Sequence, residues 1–253
     1  MLASSVIGQG QPLILLHGLF GMGDNLSMVA KPLSEYFQVY KLDLRNHGRS
    51  PRTDSMTLTE MAADVKAFMD AHGIAKAHIL GHSLGGKVAM QLALDHPEMV
   101  EKLIVADIAP VAYSGGHKDV FAGLEAVDLA NLSSRRDADN TLRQFIHENN
   151  VRLFLLKNLY RSDDGGFQWR INLPVLSRCY DNLGQANHGD EPFTGPVLFI
   201  KGELSDYIIE AYTDATRRLF PNAQLKIIQN TGHWLHAEKP AIFNQLVKRF
   251  LTG

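Results

Sequence analysis

Short apolar runs alternate with longer amphipathic segments along this chain. The runs are Pro12–Leu16 (PLILL), Gln38–Leu42 (QVYKL), Ala77–Leu80 (AHIL), Leu103–Ala106 (LIVA), Pro196–Ile200 (PVLFI) and Gln224–Ile228 (QLKII). Their length and aliphatic makeup predict strands buried on both faces, as in a parallel sheet. Between them the apolar residues recur at helical spacing. Thr57 and Glu60 have the capping-box separation, and Leu58, Met61, Ala62, Val65, Phe68 and Met69 then share a face up to Gly73. Leu84–Leu94 predicts a further helix, stopped by Pro97, and Ala241–Leu251 a last one. Strand and helix in alternation predict an α/β fold with a mostly parallel, doubly wound sheet.

One stretch breaks this rhythm. Ala109 to Gly195 has helical patterns, such as Phe145–Leu159, and a polar turn at 162–166, but no convincing strand. It is too long for a simple crossover. It reads as a helical cap at 110–195, inserted into a core made of 1–109 and 196–253.

The composition narrows the class. The 253 residues are 45% hydrophobic, enough for a large core. A formal net charge of -2 argues against nucleic acid or an anionic membrane surface as partner. The single cysteine, Cys179, has no internal disulfide partner and reads as a packed apolar side chain. The opening MLASSVIGQGQP lacks the charge and apolar pattern of a signal peptide, and no run is long enough to span a membrane. The expectation is a cytoplasmic enzyme acting on a small molecule, with no cofactor and its oligomeric state open.

The sharpest chemical signal is Gly81-His82-Ser83-Leu84-Gly85, a G-x-S-x-G pattern. The pattern alone is common, but here an apolar strand precedes it and a helix follows, as a nucleophile elbow requires. Small residues at 81 and 85 let strand and helix approach closely. The turn lifts the Ser83 hydroxyl to the carboxyl edge of the sheet, at a helix N-terminus that favours negative charge. The bland alternative is a tight turn in which Ser83 only caps the helix.

A serine nucleophile needs a base. Among eleven histidines, His233 is favoured because Gly232-His233 follows the last predicted strand and so reaches the same sheet edge. His236 is its nearest rival and reads as structural. His17-Gly18-Leu19-Phe20-Gly21 follows the first apolar run, also at that edge. The amides of Leu19 and Leu84 are the expected oxyanion hole, and His17 is expected to brace the loop. The base in turn needs a carboxylate. Asp107, ending the run Leu103–Ala106, and Asp206, in Gly202-Glu203-Leu204-Ser205-Asp206, both qualify, whereas Asp43 reads as bracing the turn at 45–50.

The segments HGLFG at 17–21, DLRNHGRS at 43–50, GHSLGG at 81–86 and GHWLHAEKP at 232–240 together resemble α/β-hydrolases. Asp24-Asn25 and Asp107-Ile108-Ala109-Pro110 narrow the resemblance to the bacterial YbfF-type esterases and the related abhydrolase-domain-11 group. The resemblance covers essentially the whole chain. It implies the α/β-hydrolase fold and cofactor-free, intracellular hydrolysis of acyl esters or thioesters. The superfamily's usual acid position, G-x-x-D, holds Ser205 here, while the YbfF-type arrangement implies Asp107 as the acid, ahead of Asp206.

Three functional readings follow. The first is a serine esterase or thioesterase, with Phe145, Phe154, Leu155 and Leu159 of the cap as an acyl pocket. The second is a C–C bond hydrolase or a MenH-like lyase with the same triad, in which Arg45 or Arg49 binds a substrate carboxylate. The third is a non-catalytic ligand receptor on the same fold.

Overall fold

The computed structural model describes residues 1–253. Nine strands form: β1 (Ser4–Ile7), β2 (Gln11–Leu16), β3 (Phe37–Leu42), β4 (Ala77–His82), β5 (Val100–Ala106), β6 (Leu159–Arg161), β7 (Phe167–Trp169), β8 (Val197–Gly202) and β9 (Ala223–Ile228). Seven of them make one sheet in the order β1-β3-β2-β4-β5-β8-β9. All neighbours are parallel except β1 against β3. The helices are α1 (Ser27–Leu33), α2 (Leu58–Ala71), α3 (Leu84–Asp95), α4 (Lys118–Ala126), α5 (Arg135–Leu142), α6 (Asn149–Leu156), α7 (Leu173–Arg178), α8 (Tyr180–Leu183), α9 (Thr213–Leu219), α10 (Leu235–Glu238) and α11 (Pro240–Thr252).

Alternate residues of the central strands enter different cores, as a pleated sheet covered on both faces demands. Ile14, Leu103, Val105 and Phe199 join α2 and α3 in the larger cluster. Leu13, Ile104, Leu198 and Ile200 join α1, α10 and α11 in the smaller one. The capping box opens α2 as expected: Glu60 N donates to Thr57 Oγ1 and Thr57 N to the Glu60 carboxylate. Phe121, Leu142, Leu155 and Leu176 from the segment between β5 and β8 belong to the larger cluster. This segment therefore packs onto the sheet layer rather than around a core of its own.

Four expectations need correction. The sheet gains an antiparallel edge strand, β1, whose four residues are too few and too exposed to show an apolar run. The segment thought to lack strands contains the β6–β7 hairpin, which closes through the polar turn 162–166. The helix expected over Phe145–Leu159 is only α6, Asn149–Leu156. Asn158 ends it: its side-chain amide donates to the Phe20 carbonyl, and its own carbonyl accepts from Arg170 N, which turns the chain into β6. Finally, β9 is not buried on both faces. It is the outer strand beyond β8, and Leu225 and Ile227 are about half exposed there, at 50% and 52%.

Candidate active site

The site is built at the carboxyl ends of β4 and β5. Ser83 follows β4 with φ 53° and ψ -118°, a left-handed conformation that a serine adopts only under constraint. The constraint is close packing. A Cβ on Gly81 would lie 2.1 Å from the Gly85 carbonyl oxygen, and one on Gly85 would lie 2.3 Å from that of Leu16. Ser83 N donates to the Ala106 carbonyl at 3.0 Å, fastening the elbow to β5. Asp107 repeats the geometry one strand over, with φ 54° and its amide bonded to the Ile200 carbonyl at 2.8 Å.

His233 spans the two. Its Nε2 lies 2.9 Å from Ser83 Oγ across 150 residues of sequence, and its Nδ1 lies 2.7 Å from Asp107 Oδ2. The imidazole that suits these partners donates from Nδ1 to the carboxylate and accepts the serine proton at Nε2. Asp107 is fully buried, and its other oxygen accepts from Gly202 N at 2.9 Å. Ser205 donates to the Oδ2 that also faces His233. Asp206, the alternative acid, is exposed and makes no hydrogen bond to His233.

Three neighbours fix His233 that the sequence did not single out. Tyr207 stacks on its ring with centroids 4.2 Å apart. His82 Nε2 donates to the His233 carbonyl at 2.8 Å, and burial holds His82 well below its ordinary pKa. Glu238 accepts from Gly232 N at 2.9 Å. Tyr207 was findable in principle, because it lies in the loop after β8, at the same sheet edge as Asp206.

The loop after β2 carries the proposed second amide donor. His17 braces it as expected: Nδ1 donates to the Gly18 carbonyl and Nε2 accepts from Leu44 N, at 2.8 and 3.0 Å. His47 accepts from Phe20 N at 3.2 Å and so supports Phe20 at φ 61°. Both rings are buried, which pushes their pKa values down to about 4 and about 3 and keeps them neutral. The amides of Leu19 and Leu84 donate to no protein acceptor. Asp43 is also as expected, accepting from Gly23 N and Arg49 N.

Two cavities meet at Ser83. The larger holds about 630 Å³ and borders Ser83, His233, Trp234, Phe145, Phe154 and Leu155. Leu159, expected there, is instead wholly buried in β6. The smaller holds about 160 Å³ and lies toward α3, between Leu84, Ile108, Tyr113 and Leu183. His117 and Tyr207 border both. The arginines offered as carboxylate binders reach neither. Arg45 grips Asp64 at 2.6 and 2.9 Å, and Arg49 is exposed, 3.8 Å from Asp43. His236 is buried between His82 and Phe243, as a structural residue would be. Cys179 is buried, no helix is long and apolar enough to cross a membrane, and no group of side chains has the makeup of a metal site.

Comparison with known proteins places this architecture. The model of the alpha/beta hydrolase fold family matches residues 11–240. Esterase YbfF of Escherichia coli is 39% identical over 245 residues, 95% of this chain and 93% of that one. The sn-1-specific diacylglycerol lipase ABHD11 of Mus musculus is 37% identical over 248 residues, 95% of this chain and 80% of the lipase. A solved structure described as a marine microorganism esterase superposes with a TM-score of 0.96 at 42% identity, covering 98% of both chains. The chain belongs to the α/β-hydrolase fold family and, within it, sits among enzymes named esterase and lipase.

Proposed function

We propose that this chain hydrolyses carboxylic esters, and thioesters by the same route, through an acyl intermediate on Ser83. The observation that carries this reading is the unbroken hydrogen-bonded line from Ser83 Oγ through His233 to Asp107. Ser83 Oγ attacks the carbonyl carbon as His233 Nε2 takes its proton. The buried Asp107 carboxylate stabilises the imidazolium and holds its tautomer. The free amides of Leu19 and Leu84 receive the oxyanion, where each donor is worth roughly 3–4 kcal/mol of barrier. His233 returns the proton to the leaving oxygen or sulfur, and the tetrahedral intermediate collapses to acyl-Ser83. Water deprotonated by His233 then attacks the acyl carbon and releases the acid, restoring the serine proton. Segment 110–195 serves as the cap that shapes the cleft over these groups.

The ester reading also accounts for the two displaced arginines, since a simple ester brings no carboxylate for them to bind. The test is p-nitrophenyl butyrate hydrolysis by the wild type and by Ser83→Ala, with fluorophosphonate labelling of both. The expected result is a loss of activity by at least about 10⁴-fold and loss of labelling in the variant. Equal hydrolysis by both proteins removes the proposal.

A further inference from the structure

The two cavities at Ser83 differ in one respect that bears on the chemistry: only the larger touches His233. A general acid must reach the atom it protonates. The leaving oxygen or sulfur therefore departs on the His233 side, and its substituent lies in the larger cleft. The acyl group has to point the other way from the same tetrahedral carbon, past Leu84 toward α3.

We infer that the small chamber between Leu84, Ile108, Tyr113 and Leu183 is the acyl site, and that the large cleft lined by Phe154 and Trp234 takes the leaving group. This assignment rests on the Ser83–His233 reading of the site. It reverses the expectation that the cap residues Phe145, Phe154 and Leu155 hold the acyl chain. At about 160 Å³ against about 630 Å³, the chamber takes the smaller of the substrate's two parts, which makes the acyl group the short one.

The chamber is built to keep that size. Leu84, Ile108 and Leu183 are nearly inaccessible, at 6%, 4% and 5% exposure. Tyr113 is tied on three sides: its hydroxyl donates to the Tyr207 carbonyl at 2.5 Å, accepts from Ala109 N at 2.9 Å, and its amide bonds the Gly184 carbonyl at 2.8 Å. Lys87 of α3, buried beside the Tyr113 ring and also lining the chamber, donates to the carbonyls of Val111 and Gln185 at 2.6 and 2.5 Å. These bonds pin the two chain segments beside the chamber, so those walls cannot part without breaking them. The larger cleft carries polar groups in its lining, Lys118, Asp119, His147 and Glu148. The substrate class that fits is a short-chain acyl ester or thioester of a bulky, partly apolar alcohol or thiol.

The experiment is a p-nitrophenyl ester series from acetate to laurate, with acetyl esters of short and long alcohols beside it, on the wild type, Leu183→Ala and Phe154→Ala, with Ser83→Ala as control. The expected wild-type kcat/KM is greatest at two to four carbons and lower by at least tenfold at eight. Leu183→Ala moves the optimum to longer chains. Phe154→Ala leaves the optimum in place but raises KM for acetyl esters of long alcohols. A wild-type optimum at six or more carbons overturns the assignment, and that profile decides the matter even if Leu183→Ala fails to fold. So does an optimum moved by Phe154→Ala and not by a folded Leu183→Ala. In either case, loss of all activity in Ser83→Ala leaves the serine-hydrolase reading standing, whereas activity retained by Ser83→Ala sinks both.

Discussion

Ser205 donates a hydrogen bond to Oδ2 of Asp107, the same carboxylate oxygen that faces His233 Nδ1. The residue at the superfamily's usual acid position therefore touches the carboxylate proposed here as the acid. The ends of β5 and β8 thus meet at one carboxylate, with Asp following the first strand and Ser the second.

Asp107→Asn is expected to lower kcat by roughly 10³–10⁴-fold, because the amide cannot hold the imidazole tautomer or stabilise its charged form. Ser205→Ala removes one hydrogen bond to a charged group and is expected to cost about 10-fold. Asp206→Asn is expected to stay within about twofold. The double change Asp107→Ser with Ser205→Asp should recover activity over Asp107→Asn. Steady-state kinetics on p-nitrophenyl butyrate measure all four, and a large loss confined to Asp206→Asn contradicts the assignment.

Gly85→Ala places a methyl 2.3 Å from the Leu16 carbonyl oxygen, a backbone atom with nowhere to go. The elbow must open, at a cost of about 1–3 kcal/mol or more. For a chain of this size that is a fall in Tm of roughly 2–12 °C, with kcat lowered as Ser83 Oγ leaves His233. Calorimetry alongside kinetics checks this; an unchanged Tm refutes the close-packing account.

Burial lowers the pKa of His17, His78, His117 and His236 to about 4 and of His47 to about 3. In the unfolded chain each titrates near 6.5. Between these values the unfolded state binds more protons, so stability is complete above about pH 6.5 and falls as pH drops toward 4. His78 isolates the effect, since neither of its ring nitrogens has a partner. His78→Leu should reduce the slope of unfolding free energy against pH by about 1 kcal/mol per unit over that window. Urea unfolding from pH 4.5 to 7.5 tests the sign, and an unchanged slope counts against it.

Arg45 is held by Asp64 and by the Glu60 carbonyl, away from both cavities. Arg45→Ala should cost about 1–3 kcal/mol of stability while leaving kcat/KM for short esters within about threefold. Arg49→Ala, whose guanidinium is largely exposed, should change neither by much. A KM raised tenfold or more by either variant would restore a substrate-binding role.

The parts of the fold and site that could be read beforehand are those written in local sequence. The strand runs, the capping box at Thr57, the elbow at Ser83 and the loop positions of Asp107 and His233 each depend on a few consecutive residues. What escaped depends on neighbours distant in the chain. β1 exists only because β3 offers it an edge. Asn158 ends α6 because the Phe20 carbonyl lies beside it. Tyr207 and His82 position His233 by stacking and by a backbone bond, and neither carries a motif of its own. β9 looked buried because aliphatic content does not say which strand is outermost.

Ser83 and Asp107 leave adjacent parallel strands through the same left-handed bend, and each is bonded by its amide to the next strand over. Their separation is thus inherited from the spacing of the sheet, while His233 comes from after the last strand. In the chain the hydroxyl and the carboxylate precede the imidazole that spans them by 150 and 126 residues. The line of three groups is therefore complete only once the segment after β9 has docked against β4 and β5.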